Sequence, residues 1–413
     1  MIMSYRMLAR TLSALIALST ACTAAAQTPV DIDVVIKNVT LISPERATPL
    51  AHADVILRNG RIAKIGTRLV PGQHARLIDG SGRFLIPGLI DSHVHTGHSA
   101  ALDEDAIAAH PELWAAYRAQ VPRAYLAFGF TSLVDLDLAP MDQAWFDGTA
   151  LHPHLFTCGG GIKVAGGYMA LQVPALAAPN FPNLVYEPRE AQHWPKALNR
   201  LDYTPERAVA RAADAGAICV KAFVESGFGM FNWPYLHTET LTKIQAAAAT
   251  RNLILMVHAN SVSSWKSALA AHANIIAHGL WVWPGALGNS APPSAAKDVI
   301  ALAARSGTYV QPTLQTVAGE RAMIDASLLD DPRLALSLPP AVIGYLRSAQ
   351  GVAARTSLLR EYRKASPAPG FEPLLRSTIQ RTNATLRLML QDHVPLIFRS
   401  DTPGVDGFGN PPG

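Results

Sequence analysis

The alternation of short apolar runs with alanine-rich stretches constrains the fold of this 413-residue sequence more than any other feature. Apolar runs of strand length that alternate with helical stretches predict βα units and a parallel sheet. Helices are expected at 204–215, where Thr204 and Pro205 form a start signal, and at 238–250. Eight strands are predicted, at 84–95, 131–137, 154–163, 217–225, 252–260, 274–280, 308–316 and 395–402. Eight such units predict an α/β protein with a (β/α)8 TIM-type barrel, whose active site lies at the carboxyl ends of the strands.

Residues 27–82 predict a small antiparallel β module, a β-sandwich that precedes the barrel domain at 83–413. Alternating strands are expected at 34–41, 54–58, 61–65 and 76–78. Asn59 and Gly60 lie between two of them, and this dipeptide is a strong signal for a hairpin. Within the barrel domain, residues 164–203 are rich in proline and aromatic residues and too long for a simple connection, so we expect a lid or a substrate wall there.

The first 26 residues have the pattern of a secretory signal peptide. Arg6 and Arg10 form the basic end, residues 12–18 form a short apolar run, and three alanines precede Gln27. The run is too short to span a bilayer, and a buried amino-terminal helix is the ordinary alternative. We therefore expect a mature chain that begins at Gln27 and is periplasmic or extracellular. A lipid anchor at Cys22 is a second alternative, because a weak lipoprotein-like cleavage sequence precedes it.

Composition restricts the classes of partner and the state of the cysteines. Apolar residues make up 49% of the chain and charged residues 16%, so a large core can form. The net charge is +4 and no stripe of lysine and arginine is present, so we expect no nucleic-acid interface. Cys158 and Cys219 lie far apart in sequence, each in a predicted strand. We expect them to be free buried thiols rather than a disulfide.

Two histidines end the first predicted barrel strand. Alternate side chains of a strand share a face, so His93 and His95 should point the same way, about 7 Å apart along the strand. Two imidazoles that converge in this manner suit one divalent metal ion. Taken alone, the pair is equally consistent with two surface histidines that close a strand.

Further polar residues lie in or at the ends of other predicted strands. Lys221 lies in the fourth strand, and His258, His278 and Asp401 end the fifth, sixth and eighth. Each histidine or aspartate alone has an ordinary explanation, as a hydrogen-bonding residue or a helix cap. A lysine inside an apolar strand is harder to explain, because burial of an ammonium group is costly. Six such residues on the strands of one barrel indicate a shared metal site.

The sequence resembles the amidohydrolase superfamily of metal-dependent hydrolases. Residues 87–95, Pro-Gly-Leu-Ile-Asp-Ser-His-Val-His, match the opening motif of that family. The order of the strand-four lysine, two further histidines and the strand-eight aspartate matches as well. Within the superfamily, the chain resembles the branch of Xaa-Pro dipeptidase-like and imidazolonepropionase-like enzymes. Residues 220–227 and the three glycines at 159–161 are similar to the dipeptidase side of that branch.

The resemblance implies a binuclear centre of divalent metal. Lys221 would be carboxylated by CO2, and its anionic carbamate would bridge the two ions. The strand-one histidine pair and Asp401 would hold the more buried ion, and His258 and His278 the second. Zinc suits this histidine-rich set, with manganese, cobalt and nickel as alternatives.

The implied function is hydrolysis of an amide or peptide-like C–N bond, in a dipeptide or an N-acyl amino acid, by a metal-activated hydroxide. Asp401 would take a proton from the water and pass it to the leaving amine. Tyr235 is a candidate for stabilising the oxyanion or holding the substrate, with aromatic packing as the alternative, and His237 is a poorer candidate. Lys163 and Arg399 could meet a substrate carboxylate, with structural pairing as the default. Lactone or phosphotriester hydrolysis at the same site, and a truncated inactive homologue, are the alternative functions.

The sequence after Pro403 is short and rich in proline and glycine, so no eighth helix is expected. Since each strand of a (β/α)8 barrel is covered by a helix, we expect a barrel that is incomplete at its carboxyl terminus. The uncovered apolar face would favour aggregation or a homo-oligomer. This reasoning predicts a truncated form of a longer enzyme, unstable or poorly active alone.

Overall fold

The computed structural model describes residues 33–99, 102, 104–171, 183–286, 288–365 and 370–402. The predicted signal peptide, the lipid-anchor alternative at Cys22 and the stretch after Pro403 lie outside these residues. The chain divides into two compact units, Met1–Pro87 and Gly88–Gly413. Among the described residues, none of the helices is both long enough and apolar enough to cross a membrane.

The first unit is a five-stranded sheet. Its strands are β1 Val34–Leu41, β2 Leu50–Arg58, β3 Arg61–Gly66, β4 Arg76–Asp79 and β5 Phe84–Leu85. The order is β3-β2-β1-β4, with β5 also paired to β1. Asn59 and Gly60 connect β2 and β3 with positive φ angles of 52° and 68°, which confirms the predicted hairpin.

Two details of this unit differ from the sequence-based expectation. The pairings of β1 with β4 and with β5 are parallel, so the sheet is mixed rather than antiparallel. The predicted strand 84–95 is divided, because its first residues pair with β1 and not with the strands of the second unit. The described strands of this unit form a single sheet, and the second layer of a sandwich stays a prediction.

The second unit is an α/β structure with parallel strands. A three-stranded sheet contains β6 Leu89–Val94, β7 Phe130–Asp135 and β8 His154–Thr157, in that order. A six-stranded sheet contains β9 Ile162–Lys163, β10 Asn183–Leu184, β11 Cys219–Phe223, β12 Ile254–His258, β13 Ile275–Ala277 and β14 Tyr309–Gln311. Its order is β10-β9-β11-β12-β13-β14. The predicted strand 154–163 is thus split into β8 and β9, and the predicted parallel pairing is confirmed.

Segment 395–402 hydrogen-bonds to both sheets without forming a continuous strand. On one side, the Val310 N–H donates to the Pro395 carbonyl at 2.9 Å. On the other side, the Asp401 N–H donates to the His93 carbonyl at 2.8 Å, and Val94 forms a parallel bridge with Thr402. This segment therefore lies between β14 and β6, where the predicted eighth strand was expected.

Helices follow most of these strands. They are α1 Glu104–Ala109, α2 Pro111–Ala127, α3 Pro140–Asp147, α4 Pro205–Asp214, α5 Thr238–Ala249, α6 Val262–Ala270, α7 Ser294–Ser306, α8 Leu314–Gly319, α9 Leu334–Ser337, α10 Pro340–Arg347, α11 Ala349–Ala365 and α12 Phe371–Gln391. Short 3-10 turns occur at Pro188–His193, Arg200–Asp202, Glu320–Met323 and Ala326–Asp330. Thr204 caps α4 by accepting a hydrogen bond from the Arg207 N–H at 3.3 Å, as its sequence predicts.

The prediction of free thiols is wrong, because Cys158 and Cys219 form a disulfide across 61 residues of sequence. Cys158 follows β8 and Cys219 begins β11, and the Ile218 N–H donates to the Thr157 carbonyl at 2.9 Å. The two cysteines are therefore neighbours across adjacent strands. Distance in sequence was a poor guide because strand order, not chain order, brings them together.

Candidate metal centre

Strand β6 and the residue that follows it hold the two histidines of the His-x-His motif. Both side chains are buried, with His93 0% exposed and His95 4% exposed. Their ring centroids are 5.1 Å apart, and their Nε2 atoms approach to 3.2 Å. The two imidazoles thus converge on one point, as the alternation along a strand predicts.

His278 and Asp401 join this pair from two other parts of the sheet structure. One Asp401 oxygen, Oδ1, lies 3.0 Å from Nε2 of His93 and 3.3 Å from Nε2 of His95. The other, Oδ2, lies 3.4 Å from Nδ1 of His278. His278 and Asp401 have φ angles of 87° and 62°, in the left-handed region that non-glycine residues seldom adopt. Backbone strain of this kind concentrates at functional sites, where the surrounding structure holds it.

The side-chain amide of Gln311 fixes the proton position on His93. The Gln311 side-chain nitrogen donates to the Ser92 carbonyl at 3.0 Å, and a carbonyl oxygen can only accept. The other end of the amide, Oε1, therefore accepts from His93 Nδ1 at 3.2 Å. His93 Nε2 is left with a lone pair, and burial keeps the pKa of His93 well below its usual value.

The lone pair of His93 Nε2 faces the carboxylate of Asp401, which is an arrangement that suits a cation. Two acceptors only 3.0 Å apart repel one another unless positive charge lies between them. Ligand atoms of His93, His278 and Asp401 all lie within 4.8 Å of one another, and all three residues are buried. Imidazole nitrogens and a carboxylate oxygen are zinc-type ligands, so the donor set fits a divalent metal.

Lys221 on β11 lines the same cavity as His95, His278 and Asp401. It is 1% exposed, and among the described residues its Nζ atom has no hydrogen-bond partner. Burial lowers the pKa of Lys221 to about 7, against the attraction of Asp401 and Asp137. The Phe223 ring lies 5.3 Å from Nζ, but a buried amine without a hydrogen-bond partner is unusual. Such an amine suits the predicted carboxylation of Lys221, which would convert it to a carbamate.

His258 ends β12 and stands beside His278, with ring centroids 4.3 Å apart. Its Nε2 lies 3.1 Å from Oε2 of Glu225, which also accepts from the Asn260 amide at 2.6 Å. Burial alone would raise the pKa of Glu225, but the hydrogen bonds from His258 and nearby backbone N–H groups outweigh it and lower that pKa. Glu225 is therefore an acceptor, His258 Nε2–H donates to it, and Nδ1 of His258 keeps the lone pair that a metal requires.

A cavity of about 1060 Å3 opens onto this cluster. Its lining includes five of the six predicted ligands, namely His95, Lys221, His258, His278 and Asp401. The sixth, His93, lies fully buried behind them. The predicted wall segment 164–203 contributes Tyr168, Met169, Ala170 and Leu171, and its residues 172–182 lie outside the described part of the chain.

The remaining sequence candidates have other surroundings. Tyr235 is not among the described lining residues, and its ring packs 4.5 Å from that of His237, so its role toward a substrate stays a prediction. His237 Nε2 lies 3.3 Å from Oε1 of Glu190. Lys163 donates to Asp137 at 2.7 Å, which is the structural pairing expected by default. Arg399 is 5% exposed and does not line the described cavity.

Sequence reasoning did not single out Gln311 or Glu225, although both orient predicted ligands. A signal was present for each, since a glutamine and a glutamate in otherwise apolar strand segments need buried partners. The partner cannot be read from the sequence, because His93 lies 218 residues before Gln311. Second-layer groups of this type hold the tautomer and the ring orientation of metal ligands.

Comparison with known proteins finds a family whose model the sequence matches. The model of the amidohydrolase family matches residues 84–355. L-hydantoinase of Paenarthrobacter aurescens is 36% identical over 63 residues, which are 15% of this chain and 13% of that protein. D-hydantoinase of Rhizobium radiobacter is 41% identical over 63 residues, with the same two shares. The chain therefore matches only a small part of the length of these curated relatives.

Solved structures resemble nearly the whole chain. A prolidase in complex with N-methylphosphonate-L-proline has a TM-score of 0.57 at 20% identity, covering 89% of this chain and 78% of that one. A Xaa-Pro dipeptidase with bound methionine has a TM-score of 0.54 at 18% identity, covering 90% and 79%. At such identities the likeness concerns the fold.

Proposed function

We propose a function on the premise that this chain belongs to the amidohydrolase family. The proposed reaction is hydrolysis of an amide or peptide-like C–N bond in the cavity beside the cluster. The observation that carries the proposal is the convergence of His93, His95, His278 and Asp401, with a lone pair of His93 held toward the carboxylate. Dipeptides and N-acyl amino acids are the first substrate classes to test, since two structural relatives are named prolidase and Xaa-Pro dipeptidase.

The proposed centre holds two divalent ions, with zinc as the first choice. His93, His95 and Asp401 would hold the more buried ion, and His258 and His278 the second. When bound, such ions polarise a carbonyl group and lower the pKa of water toward neutrality. The protonation of two imidazoles supports this assignment. Hydrogen bonds to Gln311 and Glu225 leave a lone pair on Nε2 of His93 and on Nδ1 of His258.

Lys221 is proposed to react with CO2. The lone pair of Nζ would attack the carbon of CO2, a proton would leave the nitrogen, and an anionic carbamate would result. The support is the burial of Lys221 and the absence of a hydrogen-bond partner for Nζ among the described residues. An anion there would serve as a ligand for both ions and would remove the cost of a buried ammonium group.

Asp401 is the proposed proton carrier. Its carboxylate lies between the strand-one histidines and His278, so it can accept a proton from the attacking water and deliver it to the leaving nitrogen. In the net reaction the C–N bond breaks, the hydroxyl group of water joins the carbonyl carbon, and the proton of water joins the leaving amine. The products are a carboxylic acid and an amine.

The proposed scaffold is a closed eight-stranded barrel, in which segment 395–402 is the eighth strand. Its hydrogen bonds to β14 and to β6 support this, together with the bond between Ile218 and Thr157 that links β11 to β8. The proposed location is the periplasm or the cell exterior. The disulfide between Cys158 and Cys219 supports an oxidising compartment, since such bonds seldom persist in the cytosol.

The test couples metal analysis to a hydrolysis screen of the purified chain. The panel contains dipeptides, N-acyl amino acids, uncharged amides, lactones and phosphotriesters, with Asp401→Asn as the matched control for background hydrolysis. We expect divalent metal in the protein and cleavage of an amide that the control variant does not catalyse. Cleavage of lactones or phosphotriesters without any amide would replace the proposed function with the alternative one.

A further inference from the structure

The cavity beside the candidate metal centre has a predominantly aromatic wall. We define the aromatic wall by Tyr168, Phe228, Phe231 and Trp233, which all line the cavity. Tyr168 stacks on Trp233 at 5.7 Å and meets Phe228 edge to face at 5.2 Å. Phe231 stacks on Trp233 at 4.7 Å. These rings support one another, so their positions are set before any ligand arrives.

The wall adjoins the predicted ligand His258 directly. The ring of Tyr168 lies 5.0 Å from that of His258, and Phe228 lies 6.1 Å from it. On another side, Trp281 lies 6.1 Å from His278. A group attached to the scissile bond at the metal centre would therefore meet aromatic rings first.

The cavity offers little to hold a substrate carboxylate. Among the described lining residues, the lysines and arginines are Lys221, which lies in the metal cluster, and Arg381. The guanidinium of Arg381 donates to the carbonyl oxygens of Trp281, Trp283, Gly285, Ala286 and Asn289. A guanidinium has five N–H donors, so these five bonds use all of them.

Other charges in the same region do not favour an anion either. Glu320, whose side chain carries a carboxyl group, also lines the cavity. An ionised carboxylate placed against the aromatic wall would lose its hydration without gaining a cationic partner among the described lining residues of that wall.

We propose that the substrate is an amide that carries a large, uncharged aromatic or aliphatic group, which is seated on the aromatic wall. An amide with a free carboxylate on that group is a poor substrate. This inference rests on the proposed hydrolysis of an amide C–N bond, but it ranks the substrates differently from the names of the structural relatives. It favours N-acyl aralkylamines and similar neutral amides over dipeptides and N-acyl amino acids.

Two compounds with the same scissile bond test this. N-acetyl-2-phenylethylamine and N-acetylphenylalanine differ only by the carboxylate on the amine side. We expect the metal-loaded full chain to cleave the neutral amide with a kcat/KM at least about 30-fold higher, since the carboxylate must be desolvated without a partner. Equal or faster cleavage of N-acetylphenylalanine would overturn the inference.

A binding measurement separates this inference from the proposed function. N-phenyl-1-naphthylamine and 8-anilinonaphthalene-1-sulfonate share one aromatic skeleton, and only the second carries a negative charge. Neither contains an amide, so fluorescence titration reports on the cavity even if no amide is cleaved. We expect the neutral probe to bind at least about tenfold more tightly and to be displaced by N-acetyl-2-phenylethylamine. A sulfonate probe that binds equally well would sink the inference, whatever the enzyme hydrolyses.

Variants locate the bound group. Trp233→Ala removes a ring that stacks on both Tyr168 and Phe231, so we expect about tenfold weaker binding of the neutral probe. Trp114→Ala is the matched control, because Trp114 packs on Tyr117 and Arg118 outside the described cavity lining. Equal effects of the two substitutions would show that the probe does not occupy the aromatic wall.

Discussion

Replacement of Gln311 by leucine tests whether a residue that contacts a proposed metal ligand, but not the metal itself, sets the proton position of that ligand. Leucine is similar in size but neither donates nor accepts. The Nδ1–H of His93 would lose its acceptor and the Ser92 carbonyl would lose its donor, both in a buried environment. The proton of His93 could then occupy Nε2, which would remove the lone pair that faces Asp401.

Two effects follow, and they are measured separately. Loss of a group that orients a metal ligand costs about 10- to 100-fold in metal affinity. Two buried groups left without partners cost about 1–3 kcal/mol each, or about 2–6 kcal/mol in the free energy of unfolding. Metal affinity is measured by competition with a graded series of chelators, and stability by thermal unfolding of the chelator-treated protein.

Two further variants make the result interpretable. Gln311→Glu keeps an oxygen that can accept from His93, so it should retain more metal than Gln311→Leu does. Gln120→Leu is the matched control, because Gln120 on α2 donates to the carbonyls of Ala335 and Leu336 and not to a ligand. Unchanged metal affinity in a folded Gln311→Leu protein would refute the tautomer argument.

Four other predictions concern the centre, the disulfide and the leader. Lys221→Ala should lower metal content and activity together, and full activity with two bound ions would exclude the carbamate. Asp401→Asn should lower kcat by at least about 100-fold with a smaller change in KM, because the proton carrier is lost; an unchanged kcat would remove it from the mechanism. Replacement of both Cys158 and Cys219 by alanine should lower the free energy of unfolding by about 2–5 kcal/mol, measured in denaturant, and thiol titration of the natural protein unfolded without reductant should find neither cysteine free. Amino-terminal sequencing of exported protein should give Gln27, whereas an uncleaved amino terminus would contradict the leader.

The sequence predicted the parallel architecture well because it is recorded locally. Apolar runs of strand length and the spaced helical stretches between them survive in the structure from β6 to β14. The hairpin at Asn59 and Gly60 was equally local, since two consecutive residues with positive φ define it. The ends of strands could also be predicted from the sequence, so the histidines at the ends of β6 and β12 could be proposed as ligands.

Features that depend on which strands become neighbours could not be predicted from the sequence. The disulfide joins Cys158 to Cys219 because β8 and β11 are adjacent, and no local pattern states that adjacency. The pairing of β5 with β1 took the first residues of a predicted strand into the other unit for the same reason. Likewise, the role of Gln311 depends on its contact with His93, which lies 218 positions earlier in the sequence.

The connection of β6 to segment 395–402 has a consequence for the order of folding. The Ser400 N–H donates to Asp91 across 309 positions of sequence, and the Asp401 N–H donates to the His93 carbonyl. Contacts of such long range form late, because the entropy of loop closure must be overcome first. During synthesis at about 5–20 residues per second, the histidines of β6 would wait roughly 15–60 s for their carboxylate partner. If the candidate centre takes up metal, the complete ligand set is therefore among the last parts of the second unit to form, and a bound ion would join residues 308 positions apart, His93 and Asp401.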